Sequence, residues 1–170
     1  MVMNTYVALL RAVNVGGTGK LPMADLRDMC VRIGFINVRT YIASGNVVFA
    51  SASGVSEVKA SLEDALAVYA EKPVGVVVLT PDEIATAFDE NPFADRAPNQ
   101  TVAIFLDDRP APSALDRVTG RQNEDVALGQ RVIYVHYGDA MADSKLKFPA
   151  MAKGTARNMN TVAALMRLSG

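Results

Sequence analysis

Cysteine and histidine are nearly absent: the chain has 170 residues, with one Cys and one His. A single Cys excludes a disulfide framework, and one Cys with one His is too few for a structural zinc site. Neither sign of charge is in excess. The 17 Lys and Arg almost balance the 18 Asp and Glu, leaving a net charge of -1. This excludes a strongly basic nucleic-acid protein and an acidic disordered tail, but not a local patch. No apolar run approaches the roughly 18 residues a membrane span requires. Met1 to Leu10 has neither a basic start nor a long apolar stretch, so no secretory leader is expected. What is present is ordinary: 50% apolar and 21% charged, the balance of a soluble globular protein. The expectation is a cytoplasmic chain without membrane contact, large enough to bury a core unaided.

Period and punctuation give the organisation. Thr5 to Arg11 is short, apolar and β-prone, a buried strand. Ala12 to Lys20 holds three Gly and reads as a loop. Pro22 suits the first turn of a helix. Leu26, Met29, Cys30 and Ile33 follow at helical spacing, with Gly34 as the stop. Ile36 to Ile42 and Asn46 to Phe49 are strands joined tightly through Ala43, Ser44 and Gly45. Val55, Val58, Leu62, Ala65, Leu66 and Tyr69 form one stripe of a long helix, and Val74 to Leu79 is a further strand. The order β-α-β-β-α-β is the split βαβ, or ferredoxin-like, pattern. Thr80 to Glu83 opens a short helix with a capping box. Asn91 to Gln100 is the best linker.

The second half repeats this order in part. Thr101 to Leu106, Asp125 to Leu128 and Val132 to Tyr137 read as strands. Ser113 to Thr119, Asp143 to Lys153 and Thr161 to Leu168 read as helices, with Pro149 kinking or ending the second. The fold class expected is α+β. It comprises a ferredoxin-like subdomain over 1–80, a short helix and linker over 81–100, and a second ferredoxin-like subdomain over 101–170. The second lacks a clear last strand. Charge is uneven: residues 81–128 carry a net of -6, and residues 141–170 a net of +4. A basic segment on a neutral protein suggests a local anion-binding surface.

Three motifs could carry chemistry. The first is the loop Arg11 to Lys20. Its glycines let backbone N–H groups approach a ligand, and the helix that follows favours an anion. It is not a P-loop, because Asn14 and Leu21 stand where Gly and Ser or Thr would be needed. The second is Ser44-Gly45-Asn46, ordinary turn chemistry with no His or Asp nearby to make Ser44 a nucleophile. The third is Lys153 to Thr161, before the last helix. Asn158 or Asn160 can cap that helix. Arg157 opposes the dipole there, which an incoming anion or a distant carboxylate would explain. Ser144-Lys145-Leu146 adds a further cation. Cys30 lies on the core stripe of its helix, and His136 alternates with Val132 and Tyr134 on a strand face; both read as structural.

These motifs together resemble the bacterial family catalogued as domain of unknown function 1697. Its members are similar to Ala8 to Gly17, to Pro22-Met23-Ala24-Asp25-Leu26-Arg27, to Tyr41 to Phe49, to Ser144-Lys145-Leu146 and to Gly154 to Thr161. Two positions depart from it. Ala12 stands where Gly is usual, and Met159 where Trp is common, keeping an apolar side chain but losing the indole N–H. The resemblance implies an α+β fold of two ferredoxin-like subdomains and no established activity.

The functional expectation is a site for a small anionic or phosphate-containing ligand in a polar cleft between the subdomains. Its residues would be Arg11, Asn14, Gly16, Gly17, Lys20, Ser44, Asn46, Lys145, Arg157, Asn158, Asn160 and Thr161. Arg157 would give bidentate contact, and the lysines point charges. One alternative is a single-stranded nucleic-acid module, since the element order is also that of RNA-recognition domains. The strand Gly45 to Phe49 lacks the paired stacking aromatics, and the neutral charge argues against it. The other alternative is an assembly module without a ligand. The sequence assigns no catalytic residue, cofactor, metal or oligomeric state.

Overall fold

The computed structural model describes residues 2–11, 21–42 and 45–170. The chain divides into two compact units, Met1–Pro81 with Arg167–Gly170, and Asp82–Met166.

In the first unit the elements are β1 (Asn4–Leu10), α1 (Met23–Ile33), β2 (Ile36–Tyr41), β3 (Asn46–Ser51), α2 (Val55–Ala70) and β4 (Val76–Leu79). The strands form an antiparallel sheet in the order β2-β3-β1-β4. This is the split βαβ arrangement read from the sequence. The two-residue period of the strands decides which side chains meet the helices. Tyr6, Ala8, Leu10, Val47, Phe49, Val76 and Val78 pack with Leu26, Met29 and Cys30 of α1 and Val58, Leu62 and Leu66 of α2. Each fully buried Leu or Val contributes about 1.5–3 kcal/mol. Val7, Leu9, Val48, Val77 and Leu79 on the opposite face are buried as well. Strands buried on both faces read as continuous apolar runs rather than alternating ones.

Local signals set the length of α1. The N–H groups of Asp25 and Leu26 donate to the Pro22 carbonyl at 3.0 and 3.1 Å. Gly34 closes the helix at φ 109, a conformation that costs glycine little. The Gly34 and Phe35 N–H groups then donate to the carbonyls of Val31 and Cys30. The stripe on α2 is shorter than its sequence pattern. Val55 and Tyr69, in the two terminal turns, are 44% and 43% exposed. The Tyr69 hydroxyl instead donates to Asp25 Oδ2 at 2.7 Å.

The second unit contains most of α3 (Pro81–Asp89), followed by β5 (Thr101–Phe105), β6 (Asp125–Leu128), β7 (Val132–His136), β8 (Thr155–Asn158) and the start of α4 (Met159–Ser169). Its sheet has the order β6-β7-β5-β8, the same path as the first sheet with each strand advanced by four. The last strand, not evident from the sequence, is therefore present. Thr-Ala-Arg-Asn carries no apolar alternation; it becomes β8 by pairing along β5, from Val102 opposite Asn158 to Phe105 opposite Thr155. Two expected helices are corrected. Residues 112–117 form turns. The Asp143 to Lys153 stretch follows a 3-10 turn, Gly138–Asp143, bridges to Thr119 through Lys147, and then forms a second 3-10 turn, Pro149–Ala152. Pro149 has no N–H to donate and cannot sit inside a helix without breaking its ladder. These turns close one face of the sheet by packing Leu146, Phe148, Ala114, Leu115 and Val118 onto Val102, Ile104, Ile133 and Val135.

Candidate functional site

Antiparallel partners share a face of their sheet. Arg157 lies opposite Ala103, and Ala103 opposite Tyr134. Arg157 therefore stands on the face away from the turns. The Tyr134 hydroxyl on this face donates to the Ala87 carbonyl of α3 at 2.6 Å. Arg157 is only 7% exposed. Its Nη1 donates to Thr155 Oγ1 and to the Ala156 carbonyl, both at 2.9 Å. Burial pushes the guanidinium down to about 10, because removal from water disfavours the charged form. At the next residue, Asn158 Oδ1 accepts the Thr161 N–H at 3.0 Å, the N-cap of α4. Thr161 is buried and Asn160 exposed. Within this motif, Asn158 and Thr161 build the helix start, and Arg157 carries the buried charge.

The remaining sequence candidates separate. Arg11 is exposed, and its N–H donates to the Gly75 carbonyl at 2.9 Å. Asn46 is buried at the head of β3, and its Nδ2 donates to the Tyr41 carbonyl at 2.9 Å. Gly45, at φ 85, supplies the carbonyl that accepts the Leu10 N–H. Asn46 and Gly45 thus stitch the β2–β3 connection to the sheet. Asn14, Gly16, Gly17, Lys20 and Ser44 lie outside the described residues. Lys145 is exposed beside Leu146, in the segment that closes the opposite face from Arg157. The structure does not bring these two cations together.

The Ser144-Lys145-Leu146 motif has a different role. The Ser144 hydroxyl donates to Glu124 Oε2 and also accepts the Leu146 N–H at 3.3 Å. The Gln122 N–H donates to Glu124 Oε1 at 2.6 Å. Ser144 first, then the backbone N–H groups, hold the Glu124 carboxyl below the usual carboxylate range. Nothing in the local sequence marks Glu124, because its partner lies 20 residues away.

His136 sits in a cross-strand row between Asp125 and Thr101. The Thr101 hydroxyl oxygen lies 3.2 Å from the Ala97 carbonyl oxygen and 2.8 Å from His136 Nδ1. Asp125 is drawn to Arg96, whose guanidinium lies 5.2 Å from the centre of the Phe93 ring. Thr101 is fully buried, which removes it as a nucleophile. Cys30 is fully buried, and desolvation pushes its thiol up to about 12. Among the described residues, no three His, Cys, Asp or Glu side chains are grouped to hold a metal ion. No described helix is long and apolar enough to cross a membrane.

The family model described as protein of unknown function (DUF1697) matches residues 3–134. The chain belongs to this family. Among solved structures, the conserved bacterial protein SP0830 from Streptococcus pneumoniae is similar in fold. It has a TM-score of 0.82 at 22% identity, over 99% of this chain and 100% of that one. No curated protein matches the sequence. Family membership and shared fold agree with the α+β architecture and carry no activity with them.

Proposed function

We propose that this chain binds a small ligand bearing a phosphate or carboxylate group, and that Arg157 receives the anionic group. The observation that carries this reading is a guanidinium 7% exposed, positioned by Thr155 Oγ1 and the Ala156 carbonyl of its own strand. An arginine presents five N–H donors in a planar fork, which suits two oxygens of a phosphate or carboxylate. Where water is excluded, an opposite charge is attracted more strongly than at the surface.

The test is a thermal-shift screen of the full chain against nucleotides, phosphosugars, simple anions and short oligonucleotides. Arg157→Lys and Arg157→Ala, checked for folding by circular dichroism, run alongside. A ligand at about a hundred times its dissociation constant adds roughly 2.7 kcal/mol of stability. The expected pattern is a clear shift in the parent chain, a reduced one in the lysine variant and none in the alanine variant. A ligand that stabilises Arg157→Ala as much as the parent refutes the assignment. An oligonucleotide hit that fades steeply with salt would favour nucleic-acid binding instead. A flat panel would favour an assembly module.

A further inference from the structure

The turns that replace helices in the second unit create a feature of their own. Residues 113–118 and the turn Pro149–Ala152 are both anchored by apolar side chains, Ala114, Leu115 and Val118 from one and Ala150 and Met151 from the other. Burying those side chains leaves the polar positions of both turns on the outer side. Ser113, Asp116, Arg117 and Lys153 there line a cavity of about 430 Å³, with Pro149 in its wall. Small-molecule pockets fall within about 300–1,000 Å³. The anchoring residues fix both walls, so the cavity does not depend on a ligand to form.

The charges in this cavity are not used by the fold. Elsewhere in the unit Arg96 and Arg121 pair with Asp125, and Arg131 with Glu83, whereas the exposed Arg109 makes no ion pair among the described residues. Among the described residues, Arg117, Lys153 and Asp116 make no ion pair with one another or with any other group. Two cations and a hydroxyl thus share one opening with one carboxylate. The cations and Ser113 are hydrogen-bond donors that suit a phosphate, with Arg117 supplying a fork and Lys153 a point charge. Asp116 can only accept, so it calls for a donor on the remainder of the same molecule.

We infer that this cavity binds a small phosphate ester whose body carries a hydroxyl donor, the phosphate held by Arg117, Lys153 and Ser113 and the hydroxyl by Asp116. The site is separate from Arg157, whose side chain stands on the other face of the sheet, and the inference does not rest on the anion reading made for that residue.

Isothermal titration calorimetry of the full chain tests it, with glycerol 3-phosphate, inorganic phosphate and glycerol as probes. Arg117→Gln combined with Lys153→Gln removes both cations, and Asp116→Asn removes the acceptor charge. All three positions are exposed, so the variants should fold. Glycerol 3-phosphate is expected to bind saturably and glycerol not at all. The double variant should weaken the ester by about tenfold or more, as charged hydrogen bonds are lost. Asp116→Asn should weaken the ester while leaving inorganic phosphate at least as tight. Arg109→Gln, which removes an exposed cation of the same unit outside the cavity, should leave all of these values unchanged. Absence of saturable ester binding, or equal binding by the double variant, overturns the inference. Inorganic phosphate binding as tightly as the ester overturns the role given to Asp116.

Discussion

Replacing Gly154 by Ala tests whether the most distinctive motif of this chain is partly scaffold. Gly154 immediately precedes β8. A Cβ built there would stand 2.5 Å from Ile104 Cγ2, 2.9 Å from the Phe105 carbonyl oxygen and 3.0 Å from Leu106 Cδ2. Carbon atoms pack comfortably at about 3.5–4.0 Å, so the overlap with the Ile104 methyl is on the order of 1 Å. Relief is blocked on each side. Ile104 is 2% exposed and β-branched, so it has little freedom at χ1. Phe105 belongs to the central strand and is paired with Val132 on one side and Thr155 on the other. The cost is that of an overpacked core, about 1–3 kcal/mol. In a chain of this size each kcal/mol lowers the melting temperature by about 2–4 °C. Urea denaturation followed by circular dichroism would show a lower midpoint for Gly154→Ala. A midpoint equal to that of the parent would mean that β8 can move away from β5 freely, and the packing account of this glycine would be wrong.

Two further outcomes follow from the same structure. Ser144→Ala should flatten the acid dependence of stability. The folded-state Glu124 carboxyl lies below its usual range through Ser144 first, so its contribution is present at neutral pH and is lost as pH falls through the carboxylate range. Urea midpoints measured down that range should fall less steeply in the variant, and identical slopes would contradict the role given to Ser144. Cys30 is fully buried with its thiol pushed up to about 12. The thiolate is the reactive form, so a chromogenic disulfide reagent should label it only after denaturant is added. Rapid labelling of the native chain would show that α1 opens readily.

The elements of the first unit were legible because their signals are local. Pro22 and Gly34 mark the ends of α1 through the backbone geometry each residue favours. The apolar runs of β1 and β4 announce strands buried on both faces. At the site, the capping role of Asn158 was equally readable, since its partner is three residues away.

The second unit shows what local patterns leave open. Residues 155–158 have no strand pattern and become one because the free edge of β5 needs hydrogen-bond partners. The segment from Asp143 to Lys153 has helical spacing, but it bridges to Thr119 through Lys147 and then forms a short 3-10 turn opened by Pro149. Glu124 finds Ser144, and Ser113, Asp116 and Arg117 meet Lys153, across separations that no window of sequence spans. By itself the sequence determined the fold class, the family and the ends of the helices with strong caps, because those depend on period, composition and neighbouring residues. Only the tertiary structure decided that Arg157 is buried while Lys145 is exposed on the other side of the sheet. The face each side chain takes is set by the strand it pairs with and the segment that covers it, and both are distant along the chain.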